Sequence, residues 1–444
     1  MWLLKDSPAL LTDLYELTMA QGYLAGQMTA EASFEVSIRH LPDDWGFFVM
    51  AGLAEMRDYL HEFRFAPDDL AFLGSTGLFG DEFLEYLGQL RPEVKLRAMP
   101  EGTVFFPGEP ILEVTGPLPV AQLLESYTLN ILGFSIIEAT LAARVKLAAG
   151  PIPVVDFGLR RSQGPVASIR SARAAAIAGF AATSSVFAAR ALKFACAGTM
   201  AHSFVQVHDS QEQAFRDFSE LYGENAILLV DTYDCLEGIK IAAKLARDLE
   251  RQKGLRIRGI RIDSGDLVQL TNFARQYFRK ENVEFLKIFV SGDLDEFKIA
   301  ELLRAGARID GIGIGTRFSV SRRAPAVEIV YKLSQYAGRS LFKSSPGKRT
   351  YPGRKSVSRI TGASVSNKCR YEKDIVTPFD PGADDLLRPF EAAERIQTIK
   401  NRLTAELARL DESIKAISAP QQYPVEFRNF PDDCPPQKLP VGSI

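Results

Sequence analysis

The chain has 444 residues, of which 46% are hydrophobic and 24% charged, and its formal net charge is −2. That length suits two or three domains with a large core. The near-neutral balance argues against bulk nucleic-acid or membrane-surface binding, which calls for an excess of one sign.

Thr12–Tyr23 has helical spacing, with Thr12 or Asp13 as the cap. Ser33–His40 alternates apolar and polar, as a half-buried strand does. Val104–Val114, rich in Gly, Pro and β-branched residues, reads as strand, turn, strand. Leu118–Ala149 is a long helical pattern with Gly133 as its candidate break. Ser168–Ala189 and Leu236–Gln252 are later helices, and Ser210-x-x-Gln213 and Asp293-x-x-Glu296 resemble capping boxes. After Leu333 the pattern changes. Ser344–Arg359 reads as an ordered loop or short strands, 387–419 regains helical periodicity, and the last twenty residues read as extended. The expected division is an N-terminal α/β domain over 1–135, an α/β barrel over 136–340, and a C-terminal segment over 341–444 that packs on the first domain.

Between Ile152 and Phe318, six apolar runs each stop at a small and polar cluster. The runs are Ile152–Leu159, Lys193–Met200, Ala226–Tyr233, Arg256–Asp263, Leu286–Gly292 and Arg308–Thr316. Helical patterns separate most of them, so the fold class is α/β, with a parallel sheet closed into a TIM-like barrel. Chemistry in such barrels sits at the carboxyl ends of the strands, where the clusters fall.

Cys196, Cys235, Cys369 and Cys434 lie far apart without a C-x-x-C. Neither a disulfide framework nor a zinc site is expected. The opening M-W-L-L-K-D-S-P lacks the regions of a leader peptide. The most apolar stretches are broken by Glu125, Glu138, Arg173 and Arg190, which leaves none long enough to span a bilayer. A cytoplasmic location is expected.

The candidate chemistry follows from the clusters. His202 stands just past a strand, among Gly198, Thr199 and Ala201, and imidazole serves as base or as phosphoryl acceptor. Gly313-Ile-Gly315-Thr316 combines backbone N–H groups and a hydroxyl suited to phosphate. Asp263, Asp266, Asp231 and Asp234 suit Mg²⁺ or sugar hydroxyls, with helix capping by Ser264 or Asp266 as the ordinary alternative. Arg160 and Arg161 suit phosphate or carboxylate, and a salt bridge to a neighbouring carboxylate is expected for at least one. Lys343, Lys348, Arg349 and Lys355 form a basic stretch that either closes on a polyphosphate or is simply solvated. A phosphorylated sugar, Mg²⁺ and a second small ligand describe phosphoribosyl transfer. They also fit a barrel aldolase or isomerase acting on sugar phosphates.

Taken together, L-L-T-D-L-Y-E-L-T-M-A-Q-G-Y, S-F-E-V, F-G-L-R-R-S-Q-G, G-T-M-A-H-S-F, R-I-D-S-G-D, G-I-G-T and K-R-T-Y-P-G-R-K resemble the nicotinate phosphoribosyltransferase family over roughly residues 8–360. The resemblance implies a type II phosphoribosyltransferase fold, an irregular barrel beside a smaller α/β sandwich domain. It implies condensation of nicotinate with phosphoribosyl pyrophosphate to nicotinate mononucleotide and pyrophosphate, with ATP as co-substrate, Mg²⁺, and a homodimer. By similarity, Tyr15 and Phe157 flank the pyridine ring, and Thr199, Arg261 and Ser184 hold nicotinate. Arg160, Asp263, Gly292, Gly313, Gly315 and Thr316 hold phosphoribosyl pyrophosphate, and His202 is transiently phosphorylated. No metal ligand set is assigned. Gly179–Val186 departs from the family's usual G-F-D-G-T-S-N-V, with Ala181 and Ser185 in place of an acid and an asparagine. The rival readings are a nicotinamide phosphoribosyltransferase and a catalytically silent nucleotide-binding homologue.

Overall fold

The computed structural model describes residues 7–343, 350–362, 369–390 and 392–431. Lys348, Arg349 and Cys434 lie outside the described residues. The chain forms two compact units, one from residues 1–137 and 326–444 and the other from residues 138–325. The boundary falls within one helix, Glu125–Ala149. Among the described residues, no helix is long and apolar enough to cross a membrane.

The first unit is built on a six-stranded antiparallel sheet in the order 339–340, 329–336, 31–38, 112–117, 95–98, 388–389. Strand Glu31–Ile38 was expected to show one face to water, yet only Glu31 of its eight residues is exposed. Two of its buried polar side chains, Ser33 and Glu35, find partners. Ser33 Oγ lies 2.9 Å from Thr115 Oγ1, and Lys355 Nζ donates to Glu35 Oε2 at 2.5 Å. Lys355 is therefore part of the core of this unit, which corrects its place in a solvated or substrate-closing basic stretch. A three-stranded sheet, 355–361 with 371–378 and 425–427, completes the unit with helix Ile396–Arg409. There the buried Arg359 donates to Asp374 and to Glu406 Oε2, the latter at 2.7 Å.

The second unit carries the parallel sheet, in the order 182–183, 154–156, 311–314, 287–290, 259–262, 227–229. A parallel bridge from Thr183 to Cys196 adds one more segment beyond strand 182–183. Among the described residues no ladder joins Cys196 to 227–229, so the barrel is irregular along that seam. Ile260, Ile262, Ile288 and Ile314 are buried on these strands. Each such side chain stabilises the unit by about 1.5–3 kcal/mol.

Four local expectations need correction. Strand Ala182–Thr183 interrupts the helix expected over 168–189, giving helices Pro165–Ala178 and Val186–Leu192. Gly179 ends the first in the left-handed region at φ 83, where a residue with a Cβ is strained. The long helix is continuous through Gly133, and the break lies between Leu118–Gln122 and Glu125–Ala149. Asp295, rather than Asp293, caps helix Glu296–Arg304 by accepting from Lys298 N at 2.8 Å. The expected strand Lys193–Met200 is reduced to the single bridge at Cys196.

The Arg359 cluster generates a stability test. Arg359→Ala leaves Asp374, which is fully buried, without its cation. Breaking a buried pair in this way costs about 3–5 kcal/mol. The expected result is a lower urea midpoint followed by far-UV circular dichroism, with a much smaller loss for the exposed Arg428→Ala.

Candidate active site

The strand ends of the second unit bring most of the expected residues to one place. Strand Val154–Asp156 runs into Phe157, whose N–H donates to Ile314 O at 2.7 Å. The Phe157 ring lies across Gly313, where an added Cβ would fall 2.3 Å from a ring atom. Glycine at 313 is thus required by the ring. The Leu159–Arg161 turn follows, and Arg160 and Arg161 are both exposed. Neither side chain has a hydrogen bond or ion pair among the described residues, which corrects the salt bridge expected for at least one of them.

A cavity of about 620 Å³ opens inside the parallel sheet. Phe157, Thr199, Arg261, Phe289 and Gly313 line it, together with Ala181. The Arg261 guanidinium lies 5.9 Å from the centroid of the Phe157 ring. One of its terminal nitrogens donates to Met200 O at 3.3 Å, while Nε is buried without a partner. Burial pulls its proton affinity below the usual arginine value, and Asp263 and Asp231 oppose that shift. An arginine starts so high that it stays cationic at neutral pH. Thr199 is half-buried, and its hydroxyl donates to Met200 O at 3.1 Å.

The remaining candidates form loops at the strand ends. Asp231 Oδ2 accepts from Asp263 N at 3.0 Å and from Ser264 Oγ at 2.6 Å, whereas Asp231 Oδ1 is buried without a partner. Ser291 Oγ donates to Asp263 Oδ1. Gly292 has φ 91 and passes so close that a Cβ would lie 1.9 Å from Asp263 O. Asp234 and Asp266 are helix caps, accepting from Glu237 N at 2.8 Å and from Gln269 N at 3.0 Å. Two of the four carboxylates are accordingly structural. Among the described residues, no group of three or more His, Cys, Asp or Glu could hold a metal ion.

His202 begins helix His202–Gln206, and its Nδ1 lies 3.1 Å from Thr232 Oγ1. Nε2 has no partner among the described residues. Gly315 precedes the short helix Thr316–Ser319, and the Thr316 side chain is exposed. Ser184 is half-buried and donates its N–H to Asp156 O at 2.8 Å. Tyr15 belongs to the first unit, on the first turn of helix Leu14–Ala25, and is 44% exposed.

Several supporting residues carried no role in the sequence. Arg317 donates to Asp293 Oδ2 at 2.5 Å and to Asp295 Oδ2 at 2.7 Å, tying the Thr316 turn to the Gly292 loop. Thr232 positions His202, and Asp156 anchors the Phe157 turn through Gly158 N at 2.7 Å. Each stands inside a cluster that the sequence had marked, beside a residue of more obvious chemistry. Ser291 likewise lies in the marked run Leu286–Gly292, whereas Thr183, in the stretch Gly179–Val186, falls inside the helix expected over 168–189.

The nicotinate phosphoribosyltransferase N-terminal domain model matches residues 10–133, and the nicotinate phosphoribosyltransferase family model matches 152–360. The chain is 45% identical over 351 residues to a nicotinate phosphoribosyltransferase of Mycobacterium tuberculosis, covering 79% of this chain and 75% of that one. It is 35% identical to the nicotinate phosphoribosyltransferase of Bacillus subtilis, covering 98% and 95% of the two chains. The crystal structure of human nicotinic acid phosphoribosyltransferase superposes with a TM-score of 0.78 at 28% identity, over 94% of this chain and 97% of that one. This chain belongs to the nicotinate phosphoribosyltransferase family.

Arg317 offers a test that needs no substrate. Arg317→Ala removes both ties between the Thr316 turn and the Asp293–Asp295 loop. Faster amide hydrogen exchange is expected in 292–296 and 316–320, with exchange in strand Gly259–Ile262 unchanged.

Proposed function

We propose that this enzyme joins nicotinate to phosphoribosyl pyrophosphate, giving nicotinate mononucleotide and pyrophosphate, the entry of nicotinate into NAD salvage. The observation that carries the reading is the cavity in which an aromatic face, Phe157, meets a buried arginine, Arg261, with an unpartnered Nε. A planar aromatic carboxylate satisfies both at once. Its ring stacks on Phe157, its carboxylate accepts a hydrogen bond from the guanidinium Nε–H, and Thr199 and Ser184 add hydroxyls.

In this reading the pyridine nitrogen attacks the anomeric carbon as the bond to pyrophosphate breaks. The sugar passes through a cation-like state, and the nitrogen lone pair needs no general base. The protein's work is to orient the ring and to stabilise the departing anion. Arg160, without a counter-carboxylate, faces that anion. Gly292, Gly313, Gly315 and Thr316 form the phosphate cradle, and Asp263 takes the ribose hydroxyls. Mg²⁺ fits beside Asp231 and Asp263, because Asp231 Oδ1 is an orphaned buried oxygen and Mg²⁺ is usually held by one or two carboxylates plus substrate phosphates. When bound, the ion would neutralise charge on the leaving pyrophosphate.

ATP enters through His202. The Thr232 hydroxyl engages Nδ1, which leaves Nε2 as the nucleophile. The N–P bond forms at the γ-phosphorus as the bond to the bridging oxygen breaks, and ADP leaves. The phosphohistidine adds charge and acceptors that order the site for its substrates. Tyr15, exposed beside the exposed Leu11 and Leu14, supplies the second ring face in a partner subunit of a cytoplasmic homodimer.

Purified protein with Mg²⁺, phosphoribosyl pyrophosphate and either nicotinate or nicotinamide, with and without ATP, tests this reading. Nicotinate mononucleotide is expected, its yield rising with ATP, and His202→Ala removes the rise. Product from nicotinamide alone would transfer the enzyme to that base, and product from neither would make the chain a silent homologue. Arg261→Ala is expected to raise the nicotinate KM by about tenfold or more. An unchanged KM would remove Arg261 from the pocket.

A further inference from the structure

Two buried carboxyl groups behind the Phe157 turn take no part in the chemistry above. Asp156 is 2% exposed at the end of its strand, and both of its oxygens are engaged. Oδ1 accepts from Gly158 N at 2.7 Å and Oδ2 from Thr183 Oγ1 at 2.7 Å. The first bond fixes the turn that carries Phe157 and Arg160. The second fixes the Thr183 turn, where Ser184 N returns to Asp156 O and Ser185 N donates to Thr183 Oγ1 at 3.1 Å. Thr183 in turn exchanges backbone bonds with Ala195 and Ala197, on the segment leading to Thr199 and His202. One carboxylate thus joins three loops that bear the pyridine face, the hydroxyls and the histidine.

Glu138, on helix Glu125–Ala149, is fully buried, and neither of its carboxyl oxygens has a hydrogen-bond partner. Ser171, on helix Pro165–Ala178, turns a buried hydroxyl towards it, beyond full hydrogen-bond contact. The charged group acting on Glu138 is Asp156. A bare carboxylate there would lie in an apolar environment next to a second negative charge, which strongly favours the neutral acid.

We propose that Asp156 is the positioning residue of the nicotinate pocket and that Glu138 is held beside it as a neutral acid, so that the pair carries a single charge. The proposal rests on the assignment of the pocket made above. The full burial of Glu138 and the lack of a partner for either of its oxygens favour the neutral form. A second charge on Glu138 would repel Asp156 and weaken its holds on Gly158 and Thr183. Burial, opposed by Ser171 and reinforced by Asp156, pushes the Glu138 carboxyl up to about 8. Its proton is therefore kept at neutral pH and lost in mildly alkaline solution.

The sign for stability follows from linkage. A carboxyl whose folded value lies above its unfolded value binds its proton more tightly when folded. Stability then falls as pH rises from about 4.5 towards about 8 and levels off beyond that. Glu138→Gln keeps the shape and removes the titration.

The test compares native protein with Glu138→Gln and Asp156→Asn between pH 5 and 9. In native protein the nicotinate KM is expected to rise by about tenfold above pH 8, with kcat little changed. Glu138→Gln should keep the neutral-pH KM across the range, and its unfolding midpoint without ligand should lose the decline between pH 5 and 8. Asp156→Asn should show the raised KM already at pH 7. A Glu138→Gln profile that follows the native one in both KM and ligand-free midpoint would overturn the proposal. The ligand-free midpoint responds whether or not nicotinate is the substrate, so failure of the functional assignment is distinguishable from failure of the carboxyl pair.

Discussion

Everything in the second unit depends on what the inward positions of the parallel strands leave empty. A barrel of short strands is ordinarily filled by layers of branched side chains. Here strand Gly311–Ile314 offers two glycines instead, and aromatic rings lie across them. An added Cβ would meet the Phe289 ring at 2.4 Å over Gly311 and the Phe157 ring at 2.3 Å over Gly313. Flat rings against bare backbone take little depth, so a cavity of about 620 Å³ survives at the centre. The cost is lost packing, and the gain is a slot whose wall is already a stacking surface. Arg261 enters that slot from the neighbouring region of the sheet, and its low-dielectric setting strengthens any bond it makes.

Most buried charges are paired. In the first unit three such clusters stand out. Glu35 is paired with Lys355, Glu113 with Arg97 and Arg354, and Asp374 with Arg359. In the second unit Arg144 is paired with Glu296 in the same way, whereas Arg261 Nε beside the cavity and Asp231 Oδ1 at a strand end are buried and free. Each buried polar group without a partner costs about 1–3 kcal/mol. Such costs persist where a ligand later supplies the partner, which is the usual pattern of a site preorganised for charged substrates. The closed network gives the fold its stability, and the open one gives it a use.

Legibility in the sequence divides along physical lines. The strand ends were legible because an apolar run stopping at Gly, Asp or Arg is a local signal, and the clusters at Phe157, Asp263 and Gly313 are such stops. Strand Ala182–Thr183 was hidden by its two-residue length, which has no periodicity to read. The partner of Lys355 is Glu35, 320 positions away in the chain, so no window could distinguish a core lysine from a solvated one. Asp293 and Asp295 compete for one helix start. Arg317 binds one oxygen of each, and Asp295, directly before Glu296, uses its other oxygen to cap. Asp156 was visible as a letter in a motif, but its role appears only once Thr183 is brought beside it.

The same cavity bears on which pyridine it accepts. Ala181 faces it with a methyl group where relatives of this type commonly carry an acid, and Ser185 retains a capping role by accepting from Ala188 N at 3.3 Å. Of the charged residues in the lining, Arg258, Arg261 and Lys287 are cations. The lone carboxylate there, Asp310, is already engaged by Arg275 and by Ile288 N at 2.7 Å. A carboxylate entering this field gains a partner for Arg261 Nε. A carboxamide of the same shape can also accept from Nε through its carbonyl oxygen, but its other group is an N–H donor turned towards cations, and it brings no charge. A half-buried cation without a counter-charge gains more from a carboxylate than from a neutral acceptor. In the proposed reading the acid is therefore distinguished from its amide by charge, and no residue that recognises the amide as wrong is needed.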